Sequence, residues 1–94
     1  MTTYIRLVRL TDEGRKLVKE GRSVFEGASR IFEEQGGRIV SAWGTLGSYD
    51  FIAVVEAPDD ATMMKISALI ASGGVLSADT LPAVPMQDFL SSIE

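Results

Sequence analysis

The chain is 94 residues long, with 46% hydrophobic and 23% charged residues. That suits one small globular domain and excludes an intrinsically disordered segment. It has 13 acids against 9 Lys and Arg, a net charge of −4, so the whole molecule does not favour nucleic acid as a partner. There is no cysteine and no histidine, which removes disulfides, thiolate chemistry, the usual neutral-pH acid–base group and the commonest metal ligand.

The charge is uneven along the chain. Residues 1–38 carry 8 bases and 6 acids, and the remainder carries 1 base and 7 acids. Arg15, Lys16, Lys19 and Arg22 form a basic cluster, read as a solvated helical face or, alternatively, as a phosphate contact. No apolar run reaches the roughly 20 residues needed to cross a bilayer. The N-terminal "MTTYIRLVRL" has Arg6 and Arg9 inside its apolar stretch and no small-residue cleavage site. The expectation is a cytoplasmic protein without membrane attachment.

"TYIRLVRL", Thr3 to Leu10, reads as the first strand, with Ile5 and Leu7 on one face and Tyr4, Arg6, Val8 and Leu10 on the other. Thr11 or Asp12 then caps a short helical turn, loosened by Gly14 and Gly21. "SVFEGASRIFEEQGG" predicts a helix with Ser23 as N-cap and Glu26 completing a capping box, ended by Gly36 and Gly37. "RIVSAWGTL" and "DFIAVVE" are strands on either side of Gly47 and Ser48, a hairpin signal. The second is apolar at every position from Phe51 to Val55, which requires cover on both faces. Pro58, Asp59 and Asp60 open a helix over Asp59 to about Ala71, with Met63, Ile66, Leu69 and Ile70 on its apolar side. Met63 and Met64 read as core filling rather than as an adaptable binding surface. Val75 to Leu81 is a last strand stopped by Pro82, and "MQDFLSSI" after Pro85 is a short terminal helix or arm.

The order β-α-β-β-α-β predicts an α+β, ferredoxin-like fold with an antiparallel sheet. Two helices cover one sheet face, and the other face is bare and substantially apolar. Burial against a second copy, as a face-to-face dimeric α/β barrel or a larger ring of such pairs, is the expected solution. The arm over residues 83–94 is a candidate for lying on a neighbouring subunit.

"LGSYDFIAVVEAPDDATMMKISALIASGGVLSADTLPAV" resembles the GYD domain family, named for the residues that stand here as Gly47, Tyr49 and Asp50. "TYIRLVRLTDEG", "EEQGGRI" and "VEAPDDATM" follow the same pattern, so that the resemblance spans about Thr3 to Phe89 and one domain over 1–94. It implies a small ferredoxin-like protein and brings no settled activity. The second half is also similar to the effector-binding domain of leucine-responsive regulators, on Gly47, Asp50, Gly74, Val75 and Thr80. Those domains pair through their sheets and bind small ligands, often amino acids, at subunit junctions. The helix-turn-helix of such regulators is missing here.

These resemblances define the candidate site. Asp50 either accepts backbone N–H groups at the hairpin or holds a ligand amine or a divalent cation. Tyr49 is a half-buried ring with a paired hydroxyl, or a ligand contact beside Asp50. Arg6 and Trp43 are candidates for lining the bare sheet face, although strand parity leaves the direction of Trp43 open. A buried Arg6 requires an anion, supplied by an acid across the dimer or by a ligand carboxylate. The resulting expectation is a homo-oligomeric small-ligand binding or sensing module, without a cofactor, whose pocket lies at a subunit junction near Asp50, Tyr49, Arg6 and Trp43. The alternative draws on a similarity to CRISPR-associated ferredoxin-like nucleases: Asp12, otherwise a helix cap, joins Asp50 in holding magnesium or manganese for phosphodiester cleavage. A monooxygenase of the dimeric α/β-barrel type has no specific support, and the lack of histidine weakens its haem-degrading form.

Overall fold

A computed structural model describes residues 1–94. In chain order the elements are β1 (Thr2–Leu10), α1 (Asp12–Lys16), a 3-10 turn (Val18–Glu20), α2 (Gly21–Glu34), β2 (Arg38–Gly44), β3 (Phe51–Ala57), α3 (Asp60–Ala71), β4 (Leu76–Ala83) and α4 (Met86–Ile93). The four strands form one antiparallel sheet in the order β2-β3-β1-β4. The architecture is α+β, a four-stranded antiparallel sheet with four helices, consistent with a ferredoxin-like fold. The two central strands are β1 and β3, which explains why Phe51–Val55 has no polar position.

Strand alternation sorts the residues of β1 as the sequence predicts. Tyr4, Arg6 and Val8 are buried under the helices, and Ile5 and Leu7 lie on the opposite face. α2 and α3 both pack over the first face, where Tyr4, Phe32, Val55, Ala57, Met63, Ile66 and Ile70 make the core. The helix-facing positions of β3 pair with those of β1, Val55 opposite Tyr4 and Ala53 opposite Arg6.

Two local features differ from expectation and two settle what the sequence left open, each with a visible cause. α2 begins at Gly21 and has no side-chain cap, because the chain enters it already wound by the 3-10 turn; Ser23 therefore lies inside the helix. The β2–β3 connection, whose length the Gly47–Ser48 signal leaves open, spans residues 45–50 and is closed by the Thr45 N–H on the Asp50 carbonyl (2.9 Å) and the Thr45 hydroxyl on the Tyr49 carbonyl (2.6 Å). Gly47 supplies the left-handed backbone in that loop, at φ 104°. β4 runs through Pro82, which pairs opposite Tyr4; an edge strand tolerates a residue without an N–H. Finally, a bulge at Val40 shifts the β2 register, so Ile39 faces the helices opposite Val55 while Trp43 faces the other way opposite Ile52.

The face away from the helices carries Ile5, Leu7, Ile52 and Val54 at its centre, flanked by Trp43 and Leu81, which are 54% and 48% exposed. Ion pairs sit at its corners: Arg38 with Glu56 at 2.6 Å and Arg9 with Asp79 at 3.7 Å. α4 is exposed along its whole length. No helix is long and apolar enough to cross a membrane.

Candidate functional site

The hairpin end of the sheet is held by Asp50. Its Oδ2 accepts the Leu10 N–H at 2.8 Å, and its own N–H donates to the Val8 carbonyl at 2.9 Å. The carboxylate thus takes over where the β1–β3 ladder stops, satisfying a backbone donor at the end of β1. Tyr49 turns to the open side of the sheet. The Arg9 guanidinium stacks over its ring, 4.2 Å from the centroid, and the Tyr49 hydroxyl makes a long 3.4 Å hydrogen bond to Asp79. Arg9 also donates to the Ser48 carbonyl at 3.0 Å. Arg9 and Asp79 belong to this cluster and were not singled out from the sequence. Arg9 shares strand parity with Ile5 and Leu7, which is the signal that places it.

Asp12 is not the cap of α1. Thr11 is: its hydroxyl accepts the Gly14 N–H at 3.1 Å and donates to the Gly74 carbonyl at 2.6 Å. Asp12 points outward and pairs with Arg15 at 2.7 Å on an exposed surface. Asp12 and Asp50 are thus engaged with different partners, and no group of three or more acids is placed to hold a metal ion.

Arg6 does not line the bare sheet face. It is 5% exposed and points toward α3, where Nη1 donates to the Ser67 hydroxyl (2.6 Å) and the Thr80 hydroxyl (2.8 Å). Even positions of β1 face the helices, so a second copy packed on the open face cannot bring an acid to it. No carboxylate forms an ion pair with it within the chain, and burial holds its pKa below the ordinary guanidinium value. Burying a cation costs on the order of several kcal/mol, and bonds to neutral hydroxyls offset part of that. Arg6 also borders a cavity of about 410 Å³ between the sheet and α2, whose lining is almost wholly apolar. A smaller cavity of about 280 Å³ lies on its α3 side, and Arg6, Ile70 and Leu76 border both. Trp43 borders the larger one at the β2 edge. The four residues expected in one pocket are therefore divided: Arg6 and Trp43 border the cavity, Asp50 ties off β1, and Tyr49 faces the open side.

The GYD domain model matches residues 4–93, nearly the whole chain. The chain belongs to the GYD domain family. It is 37% identical over 95 residues to a Thermus thermophilus protein named glutamine synthetase and cystathionine beta-lyase binding protein, and the match covers 100% of both chains. It is also similar to the crystal structure of TTHA0845, again from Thermus thermophilus, with a TM-score of 0.56 and 23% identity over 89% of this chain and 94% of that one. That likeness shows the fold alone.

In this GYD domain the three name-giving residues serve the hairpin. Gly47 allows the loop conformation, Tyr49 anchors the Arg9–Asp79 pair, and Asp50 closes the end of β1. None of them borders the large cavity.

Proposed function

We propose that this GYD domain is a non-catalytic binding protein that pairs through its open sheet face and uses α4 to grip larger enzymes. The observation that carries the reading is the pair of apolar surfaces that nothing in the chain covers. The open face has the layout of an interface, with an apolar middle and ion pairs at the rim. An uncovered apolar sheet face suits a two-fold dimer, the assembly expected from the sequence. α4 presents Met86, Phe89, Leu90 and Ile93, each at least 44% exposed, at the i, i+3, i+4, i+7 spacing of one helical face. A short amphipathic helix with no partner in its own chain fits a groove on another protein.

The name of the Thermus relative supplies the class of partner: glutamine synthetase and cystathionine β-lyase. The test is retention of purified glutamine synthetase and cystathionine β-lyase, from the organism that encodes this chain, on immobilised protein. The parent retains at least one of them. A Phe89→Glu, Leu90→Glu variant, altered only on an exposed helix, keeps its own oligomeric state and loses retention by at least about tenfold. Failure of both enzymes to bind the parent, or equal retention by the variant, contradicts the α4 assignment.

A further inference from the structure

The cavity between the sheet and α2 is independent of both docking surfaces. Its volume of about 410 Å³ lies within the range of small-molecule sites. Val24, Ala28, Phe32, Ile39 and Ala53 line it from α2 and the strands, and 17 of its 21 lining residues are hydrophobic. Arg6 is the one charged side chain among them. The lining contains no carboxylate, so nothing there would receive a ligand's ammonium group.

The state of Arg6 sets the second half of the chemistry. Its guanidinium has five N–H donors in a planar fork that matches a carboxylate. Only Nη1 is used, on Ser67 and Thr80. Nε and Nη2 have no protein acceptor, yet no nitrogen or oxygen of a buried side chain is both sealed from solvent and unpaired. Those free donors are therefore not sealed from solvent, and Arg6 borders both cavities, with its partner Ser67 on the smaller one. Ser67 and Thr80 fix the head group in place, which reduces the freedom lost on binding.

We propose that this cavity binds an amphipathic monocarboxylate, a small acid with an apolar aliphatic or aromatic body, whose carboxylate accepts hydrogen bonds from Arg6. The apolar body fills the space under α2, and the anion compensates the buried guanidinium. A zwitterionic amino acid fits poorly, because its ammonium group would be buried without a partner. That separates the site from the amino-acid ligands which the similarity to leucine-responsive regulators implies.

The experiment is titration of the full chain with octanoate, decanoate and phenylacetate, each against the alcohol and the amine with the same carbon skeleton, followed by calorimetry. The aliphatic and aromatic acids together distinguish the two kinds of apolar body. At least one carboxylate binds saturably, and its alcohol and amine bind at least about tenfold more weakly. Arg6→Met removes that preference for the acid. Val24→Phe, which places a ring in the cavity and leaves Arg6 untouched, abolishes binding while the circular dichroism spectrum stays that of the parent; it serves if Arg6→Met does not fold. Absence of saturable binding by any of the acids overturns the proposal, as does equal affinity for acid, alcohol and amine. So does undiminished binding by Val24→Phe. Retention of enzymes through α4 is read separately and does not depend on the outcome.

Discussion

Asp50 and Asp59 both spend a carboxylate on a backbone N–H at the end of a regular element. Asp59 accepts the Thr62 N–H at 2.8 Å as the N-cap of α3. Hydrogen bonds from the side chain and the backbone of Thr62 hold its pKa below the ordinary 3.8. A depressed carboxylate pKa contributes stability that is present above the unfolded value and is lost as pH falls through the folded one. Thermal melts from about pH 7 to about pH 2 therefore lose this contribution below about pH 4 in the parent. Asp59→Asn keeps a neutral cap and lacks that loss, so the melting temperatures of the two proteins converge in acid. A constant gap across the range contradicts the assignment. The start of α3 was legible in the sequence from Pro58, Asp59 and Asp60, and the structure makes Asp59 its N-cap rather than its first helical residue. The role of Asp50 was legible in kind, but its acceptor contact with Leu10 spans 40 positions and comes from the sheet. Arg6 shows the same limit. Its parity with Tyr4 was plain, whereas the hydroxyls that hold it come from α3 and β4.

At the level of elements, the order of strands and helices followed from hydrophobic periodicity, and the exceptions mark where long-range pairing took over. Trp43 is the clearest case. Uninterrupted alternation would put Ile39, Ser41 and Trp43 on one face, and the bulge at Val40 reverses that for Trp43. The glycines separate local from tertiary requirements in a testable way. A Cβ at Gly27, inside α2, meets nothing within 4 Å, so Gly27→Ala removes only the helix penalty of glycine and stabilises by about 0.5–1 kcal/mol. A Cβ at Gly14 would lie 2.1 Å from the Val75 carbonyl oxygen, which also accepts the Thr11 N–H. Gly14→Ala forces α1 away from the start of β4 and costs roughly 1–3 kcal/mol. Denaturant unfolding of the two variants reads opposite signs; the same sign for both refutes this description of the α1–β4 contact.

Over the whole molecule, β1 and β3 are covered on one side by α2 and α3 and on the other by nothing in the chain. The need for cover was visible in Phe51–Val55, where no position is polar. The cavity was not, because its size depends on how far α2 stands from the sheet, a distance that periodicity does not encode. Arg6 and the open face lie on opposite sides of one sheet, so the proposed ligand capture and the proposed assembly use separate surfaces. A mutation on one is expected to leave the other intact. Burial of the open face against a second copy, as proposed above, is tested by sedimentation velocity of the parent and Leu7→Glu over a range of micromolar concentrations. Leu7 is half-buried at the middle of that face. The parent sediments as a dimer or a multiple of dimers, and Leu7→Glu as a folded monomer. A parent that sediments as a folded monomer at every concentration contradicts the proposal.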